Sequence, residues 1–428
     1  MEVQEGDQYV RRRYTNLDPV TLFTWAALVL IGLLAIFSAT HGPSSEFYQF
    51  NPRQNFSNQI MWVGISLVGL VIALVLPVRF FQQMAFPIYG LTILLLLAAL
   101  VFGREVNGAK SWLYFGPIGL QVSEMAKVGT VLAVAQVVGM RRPKTMDLRF
   151  AFLLLGIIML PAILIVLQND TGTALVFFGL VPIVLFWSGL DFNLLLLMIA
   201  PAVAGYFAIV SMPVAIGFVL LFLGFMWWRT RDVRISVVSL VMTGGVVAMA
   251  NVALTMILSD YQVQRIMSFT DPGAAEFRQN VGFHQVNSMA AIGSGGWFGK
   301  GFLQGTQTQG GYVFEQSTDF IFSVIGEEWG FFGSLLVLGL FAILLIRLLQ
   351  LGANMKHPFG VLIAAGAAGI YLIHIFINIG MATSLLPVIG IPLPFISYGG
   401  SALLANSALL AIVLSLHLKK DDFSIYGY

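Results

Sequence analysis

Glu315-Gln316-Ser317-Thr318-Asp319 runs directly into Phe320-Ile321-Phe322-Ser323-Val324. The first five residues close a long polar loop, residues 260–319. The next begin a new apolar run. Polar loop against oily span is the alternation of a chain that crosses a membrane repeatedly. It also marks where chemistry is possible, because a carboxylate at a membrane–water boundary can meet both water and a lipid-borne substrate.

Working outward, the chain is 58% hydrophobic and 10% charged, with mean hydropathy +0.87. Soluble domains carry about 25% charged residues. The composition therefore specifies an all-α polytopic membrane protein. About 20 apolar residues cross the hydrocarbon core. Spans are expected near 20–40, 58–77, 84–103, 121–139, 150–168, 173–189, 193–210, 213–228, 236–259, 320–346, 360–384 and 400–418. The short turns between 173 and 228 leave the count between ten and twelve. One membrane domain covers 20–418, with a cytoplasmic segment 1–19 before it and a tail 419–428 after it. The first apolar run is as long as a full span and follows Arg11, Arg12 and Arg13, which fits a retained helix better than a cleaved signal peptide.

Arg and Lys set the orientation. Arg11–Arg13, Arg79, Arg141, Arg142, Lys144, Arg149, Arg229, Arg231, Arg234, Arg347, Lys356, Lys419 and Lys420 fall on one side. Arg53, Arg104, Lys110, Arg265, Arg278 and Lys300 fall on the other. The bias places both termini in the cytoplasm and the 260–319 loop outside. A net charge of +2 gives no reason to expect nucleic acid, and the absence of Cys excludes a thiolate metal site or a cysteine nucleophile.

Several polar residues invite a role. Charges inside spans are costly and are usually paired or functional. Glu124 and Lys127 lie three apart and share a helix face. They read either as a local ion pair or as the wall of a cavity for an anionic head group, with Lys127 on phosphate. Asp170 reads as a helix N-cap. Glu327 and Glu328 follow Asp319 by about two turns, and at least one of them is expected to face a cavity, since both would not face lipid. His374 and Asn378, four apart, are suited to interhelical hydrogen bonds. Asp319 has two readings, a cap for the following span or a reacting carboxylate. Glu315, Gln316, Thr318 and Asp319 together offer oxygens for a sugar hydroxyl or for a divalent cation such as Mg or Mn, without a recognisable metal-ligand spacing. The glycine string Gly293–Gly301 lacks the spacing of a phosphate loop and reads as a turn where backbone approaches backbone or ligand. The Pro- and Gly-rich stretch Leu385–Ser401 reads as a non-helical element that closes a site, tolerated at membrane depth only where it is buried or lines a cavity.

Four motifs resemble those of the SEDS proteins, the RodA/FtsW group. They are Gln121-Val122-Ser123-Glu124 with Lys127; Gln264-Arg265-Ile266 through Asp271-Pro272; Ile292–Gly296 through Thr318-Asp319-Phe320 and Glu327-Glu328; and Asn378-Ile379-Gly380-Met381 through Phe395–Ser401. Gly299–Gln307 is similar to the RodA, or elongation, branch. The resemblance implies a SEDS-type helical bundle of usually ten spans. It also implies a peptidoglycan glycosyltransferase that polymerises lipid II, carried on undecaprenyl pyrophosphate, for cell elongation and shape at the outer face of the inner membrane. The implied partners are a class B penicillin-binding protein and the elongation machinery. The family's essential aspartate falls on Asp319. Implied for substrate binding are Glu124, Lys127, Arg265, Lys110, Glu315, Thr318, Gln307, Ser397, Tyr398 and Gly399. Where the family commonly has Pro-Glu-x-His-Thr-Asp, this chain has Phe314-Glu315-Gln316-Ser317-Thr318-Asp319, so no step can rest on that histidine. Where it commonly has Arg before Trp, this chain has Ser111 before Trp112, with Lys110 one position earlier. A lipid II transporter, or a scaffold that activates a penicillin-binding partner without catalysis, would share much of this pattern.

Overall fold

The computed structural model describes residues 17–42, 53–106, 108–116, 118–141, 147–257, 263, 266–271, 274 and 282–420. The helices are α1 (Pro19–His41), α2 (Arg53–Val75), α3 (Val78–Phe102), α4 (Val122–Gly139), α5 (Leu148–Leu167), α6 (Thr171–Trp187), α7 (Phe192–Val210), α8 (Met212–Thr230), α9 (Val233–Val252), α10 (Phe283–Ser294), α11 (Ile321–Ala353), α12 (Pro358–Ala382) and α13 (Gly400–Leu418). Eleven helices among the described residues are long and apolar enough to span a membrane, and α6, at 17 residues, is the shorter twelfth. All twelve lie where hydropathy places them.

Local sequence sets where many of them start. Asp18, Asp147, Asp170, Asp191 and Asp232 each precede a helix and accept a backbone N–H from its first turn, at 3.0, 2.8, 3.0, 2.8 and 2.8 Å. Such a cap contributes about 1 kcal/mol. Asp18 also pairs with Arg347, tying the start of α1 to α11.

Burial separates centre from sheath. α4, α12 and α13 are mostly enclosed, whereas α2, α3, α8 and α9 turn most of their apolar surface outward. That outward surface is what a lipid-facing helix needs. Ten spans are implied by the resemblance; eleven helices of span length and one shorter apolar helix are present among the described residues. α7 and α8 fall in the stretch near 173–228, whose short turns leave the count open. With α9 they pack around a small separate core of Ala204, Ala208, Ala215, Val219 and Val247.

Three features go beyond the helical plan. Between α3 and α4 the chain forms an antiparallel sheet of β1 (Arg104–Val106), β2 (Ala109–Phe115) and β3 (Ile118–Gln121), in that order. Arg104 is opposite Trp112, and Trp112 is opposite Gln121. Hydropathy marks no span there, and the run alternates too briefly to declare a sheet in the sequence. Second, α11 is broken at Gly330, whose φ of 68° and ψ of −159° are non-helical. Third, residues 383–399 between α12 and α13 are non-helical yet enter the core, with Ile391, Leu393, Phe395 and Ile396 all buried. A Cβ on Gly32 of α1 would lie 2.7 Å from the Ile396 Cα. Irregular backbone is thus sheathed by protein, as its depth requires.

Candidate functional site

Asp319 stands at the end of the loop, two residues before α11. Its strand of chain is fixed from four directions. Ser397 Oγ donates to the Thr318 carbonyl (2.6 Å) and accepts from the Leu393 N–H (2.8 Å). The Tyr398 N–H donates to the Ser317 carbonyl at 2.8 Å. Gln316 Nε2 donates to the Ala39 carbonyl at the end of α1 (2.9 Å). Asn378 Nδ2 of α12 donates to the Asp319 carbonyl (2.9 Å) and to the Ile391 carbonyl (2.8 Å). Gln59 of α2 supports the same segment, donating to the Ser397 carbonyl (3.3 Å) and accepting from the Gly399 N–H (3.2 Å).

The Asp319 carboxylate itself has no hydrogen-bond donor among the described residues. It lies over Gly390, where φ is +80° and a Cβ would come 3.3 Å from Asp319 Oδ2. Burial, and then the negative charge of Glu315, raise its pKa to about 7. Glu315 holds a left-handed backbone, φ 48°, and accepts from Thr318 Oγ1 at 2.9 Å. A carboxylate that titrates near neutral pH and is not tied up by a cation has the properties of a general base.

Behind this lies a second, buried set. Lys127 Nζ is 2.8 Å from Glu124 Oε2 and 2.7 Å from His374 Nε2. Lysine can only donate, so His374 Nε2 accepts and Nδ1–H donates to the Pro392 carbonyl (3.1 Å). Lys127 and Glu124 are 1% and 2% exposed. The Glu124/Lys127 pair is therefore a buried ion pair locked to the 383–399 segment, with no open face toward solvent for a phosphate. His374 hydrogen-bonds between helices as its spacing suggested, through Lys127 of α4, and also reaches the Pro392 carbonyl, whereas Asn378 reaches the carbonyls of Asp319 and Ile391 and not another helix. Asp170 is the cap it resembled, and also accepts from Gln121 Nε2 (3.3 Å) and Ser123 Oγ (3.2 Å).

The third cluster explains the two glutamates of α11. Glu327 is fully buried. It accepts from Lys300 Nζ (2.7 Å), from the N–H groups of Thr306 (2.9 Å), Gln307 (2.9 Å) and Thr308 (2.8 Å), and from Thr308 Oγ1 (2.8 Å). Glu328 accepts from Gln309 Nε2 at 3.0 Å. The glycine string packs backbone on backbone against the break in α11. Lys300 and Gly301 donate to the Glu327 and Glu328 carbonyls, both at 3.0 Å, and Phe331 donates to the Gly296 carbonyl at 2.8 Å.

The structure thus gathers Asp319, Glu315, Thr318, Ser397, Tyr398 and Gly399 into one site. Gln307 belongs to the Glu327 cradle. Lys110 is exposed on β2, where its N–H donates to the Gln168 carbonyl at 2.9 Å. Arg265 lies outside the described residues. Gln59 was not anticipated, and no local pattern marks it; Gly390 falls in the Leu385–Ser401 stretch, whose composition did not single it out. A cation held by Asp319 and Glu315 would need further ligands, and no group of three or more His, Asp or Glu side chains converges among the described residues.

Eleven helices of span length and a shorter apolar one, an irregular buried segment and a loop carboxylate poised above it define a polytopic membrane protein with a polar site at the end of its bundle. The FtsW/RodA/SpoVE cell cycle protein model matches residues 19–218 and 208–422, and the chain belongs to that family. The two matched stretches meet at the junction of α7 and α8. The chain is 31% identical to the peptidoglycan glycosyltransferase RodA of Treponema pallidum, covering 96% of this chain and 99% of that one. It is 33% identical to the peptidoglycan glycosyltransferase MrdB of Escherichia coli K12, covering 96% and 95%. Among solved structures it superimposes on a peptidoglycan synthase complex that coordinates polymerization and crosslinking, with TM-score 0.70, 29% identity and coverage of 94% and 98%. It also superimposes on the rod shape determining protein RodA of Thermus thermophilus, with TM-score 0.60, 28% identity and coverage of 94% and 97%.

Proposed function

We propose that this chain is a peptidoglycan glycosyltransferase that polymerises lipid II, with Asp319 as general base. The observation that carries the assignment of the base is the Asp319 carboxylate. It is held in place through its backbone, has no cation partner among the described residues, and titrates near neutrality. Asp319 takes the proton from the acceptor sugar's C4 hydroxyl as that oxygen attacks the donor's anomeric carbon. The bond to pyrophosphate breaks as the glycosidic bond forms, so one displacement converts an α-linked donor to a β-linkage. Lys110 and Arg265 are assigned to the leaving pyrophosphate, where developing charge rewards a fixed cation. The buried pairing of Lys127 suits it to hold the 383–399 segment. A divalent ion is not required by this scheme.

The Arg/Lys bias supports an inner-membrane orientation with both termini cytoplasmic and the site outside. The likeness to a synthase complex supports a crosslinking partner of the penicillin-binding class, and the Gly299–Gln307 string supports work in elongation. Asp319 lies in a loop at the end of the bundle and not along a path through it, which favours catalysis over transport. The test is lipid II polymerisation by purified protein with its penicillin-binding partner, under moenomycin to silence classical glycosyltransferases. Wild type makes glycan polymer, and folded, partner-bound Asp319→Asn makes none. Equal polymer from both would remove Asp319 as the base.

A further inference from the structure

Asn378 is fully buried in α12, and its two amide hydrogens have two separate employers. One goes to the carbonyl of Asp319 (2.9 Å) and the other to the carbonyl of Ile391 (2.8 Å). These carbonyls belong to chain segments more than seventy residues apart. One ends the polar loop, and the other follows Gly390, the residue over which the Asp319 carboxylate lies. The amide's own oxygen has no partner among the described residues. Its hydrogen bonding is thus spent on holding two backbones at one spacing.

We propose that Asn378 is a positioning residue for glycan polymerisation, clamping the Asp319 backbone to Ile391 so that the carboxylate stands at a fixed place above Gly390. The proposal rests on the reading of Asp319 as the reacting carboxylate. Seating of the 383–399 segment does not depend on Asn378. His374 pins Pro392 from one turn earlier on α12, backed by Lys127. Ser397 and Gln59 hold the far end. What the other bonds lack is a direct link from the rigid helix to residue 319 itself. Without it, the carboxylate can shift by an ångström while the fold survives. A misplacement of about 1 Å can cost on the order of 100-fold in rate.

The test compares wild type, Asn378→Leu and Asn378→Gln in the lipid II polymerisation assay with the penicillin-binding partner, with melting temperature measured alongside. Leu matches the size and removes both donors. Gln keeps the donors on a stem one methylene longer. The expected result is a fall in kcat of about 100-fold for Asn378→Leu, a KM for lipid II within about threefold of wild type, and partial recovery of kcat in Asn378→Gln. A residue that merely stabilises the bundle would lower melting temperature and amount of active enzyme without separating kcat from KM in the surviving fraction. Wild-type kcat in Asn378→Leu overturns the clamp, as does wild-type kcat in Asn378→Gln where Asn378→Leu does not fold. So does failure of both to fold, because His374, Ser397 and Gln59 are held here to be enough for the segment. Asp319→Asn run in parallel keeps the two ideas apart. If it polymerises normally, the reading of the base fails. If it is inactive while Asn378→Leu is fully active, only the clamp fails.

Discussion

Glu327→Gln removes a charge from the best-connected carboxylate among the described residues while keeping its shape. Oε1 receives Lys300 Nζ and the N–H groups of Thr306 and Gln307, and Oε2 receives the N–H and hydroxyl of Thr308. Wherever the new NH2 group sits, it meets at least one backbone N–H head on, and a buried donor left unmade costs about 1–3 kcal/mol. The Lys300 ammonium also loses its counter-charge. Removing one partner of a fully buried pair costs about 3–5 kcal/mol. Lys300 is 24% exposed, so water recovers part of that. A total near 3 kcal/mol follows, which at about 2–4 °C per kcal/mol lowers the melting temperature by about 6–12 °C. Intrinsic tryptophan fluorescence follows the melt, with Trp297 three residues before Lys300 and Trp329 two residues after Glu327 in the chain. Glu328→Gln is the control. Glu328 accepts from Ser38 Oγ and Gln309 Nε2, with no cation among its hydrogen-bond partners, and should shift melting less than half as much. A Glu327→Gln protein that melts within about 2 °C of wild type, or a larger shift for Glu328→Gln, would refute the idea that Glu327 anchors the 300–308 loop.

Two further expectations come from the same geometry. Gly330→Ala places a Cβ 2.3 Å from the Gly299 nitrogen and 2.8 Å from Phe298 backbone. Backbone cannot move aside as a flexible side chain can, and the conformation itself is strained for alanine by about 1–3 kcal/mol. Hydrogen exchange at the Lys300, Gly301 and Phe331 amides should accelerate, and unchanged protection would count against the seating of the glycine string on the α11 break. For pH, polymerisation should fall as pH drops through about 7, where Asp319 takes up its proton, and Glu315→Gln should move that limb to lower pH. Because the folded pKa is raised, this carboxyl contributes stability that is complete below its unfolded value, about 3.9. That contribution is lost as pH rises toward 7. Asp319→Asn should flatten that dependence, and a slope equal to wild type would show that the carboxyl is not desolvated.

Properties that depend on a run of neighbours can be read from the chain alone. Twelve apolar stretches, Asp170 as a helix cap, the shared face of Glu124 and Lys127, and a carboxylate at the seam of loop and span were all legible. Each follows from a local period, a cap or the thickness of a bilayer. The family motifs singled out Asp319 in the same way. Tertiary structure decided which groups those residues meet. Lys127 closes on His374, 247 positions away. Glu327 gathers three successive amides from residues 306–308. Gly299 and Gly330 let two backbones touch, and Asn378 joins Asp319 to Ile391. No local pattern encodes such partners, because a buried donor takes whichever acceptor the packing of distant helices brings within about 3 Å.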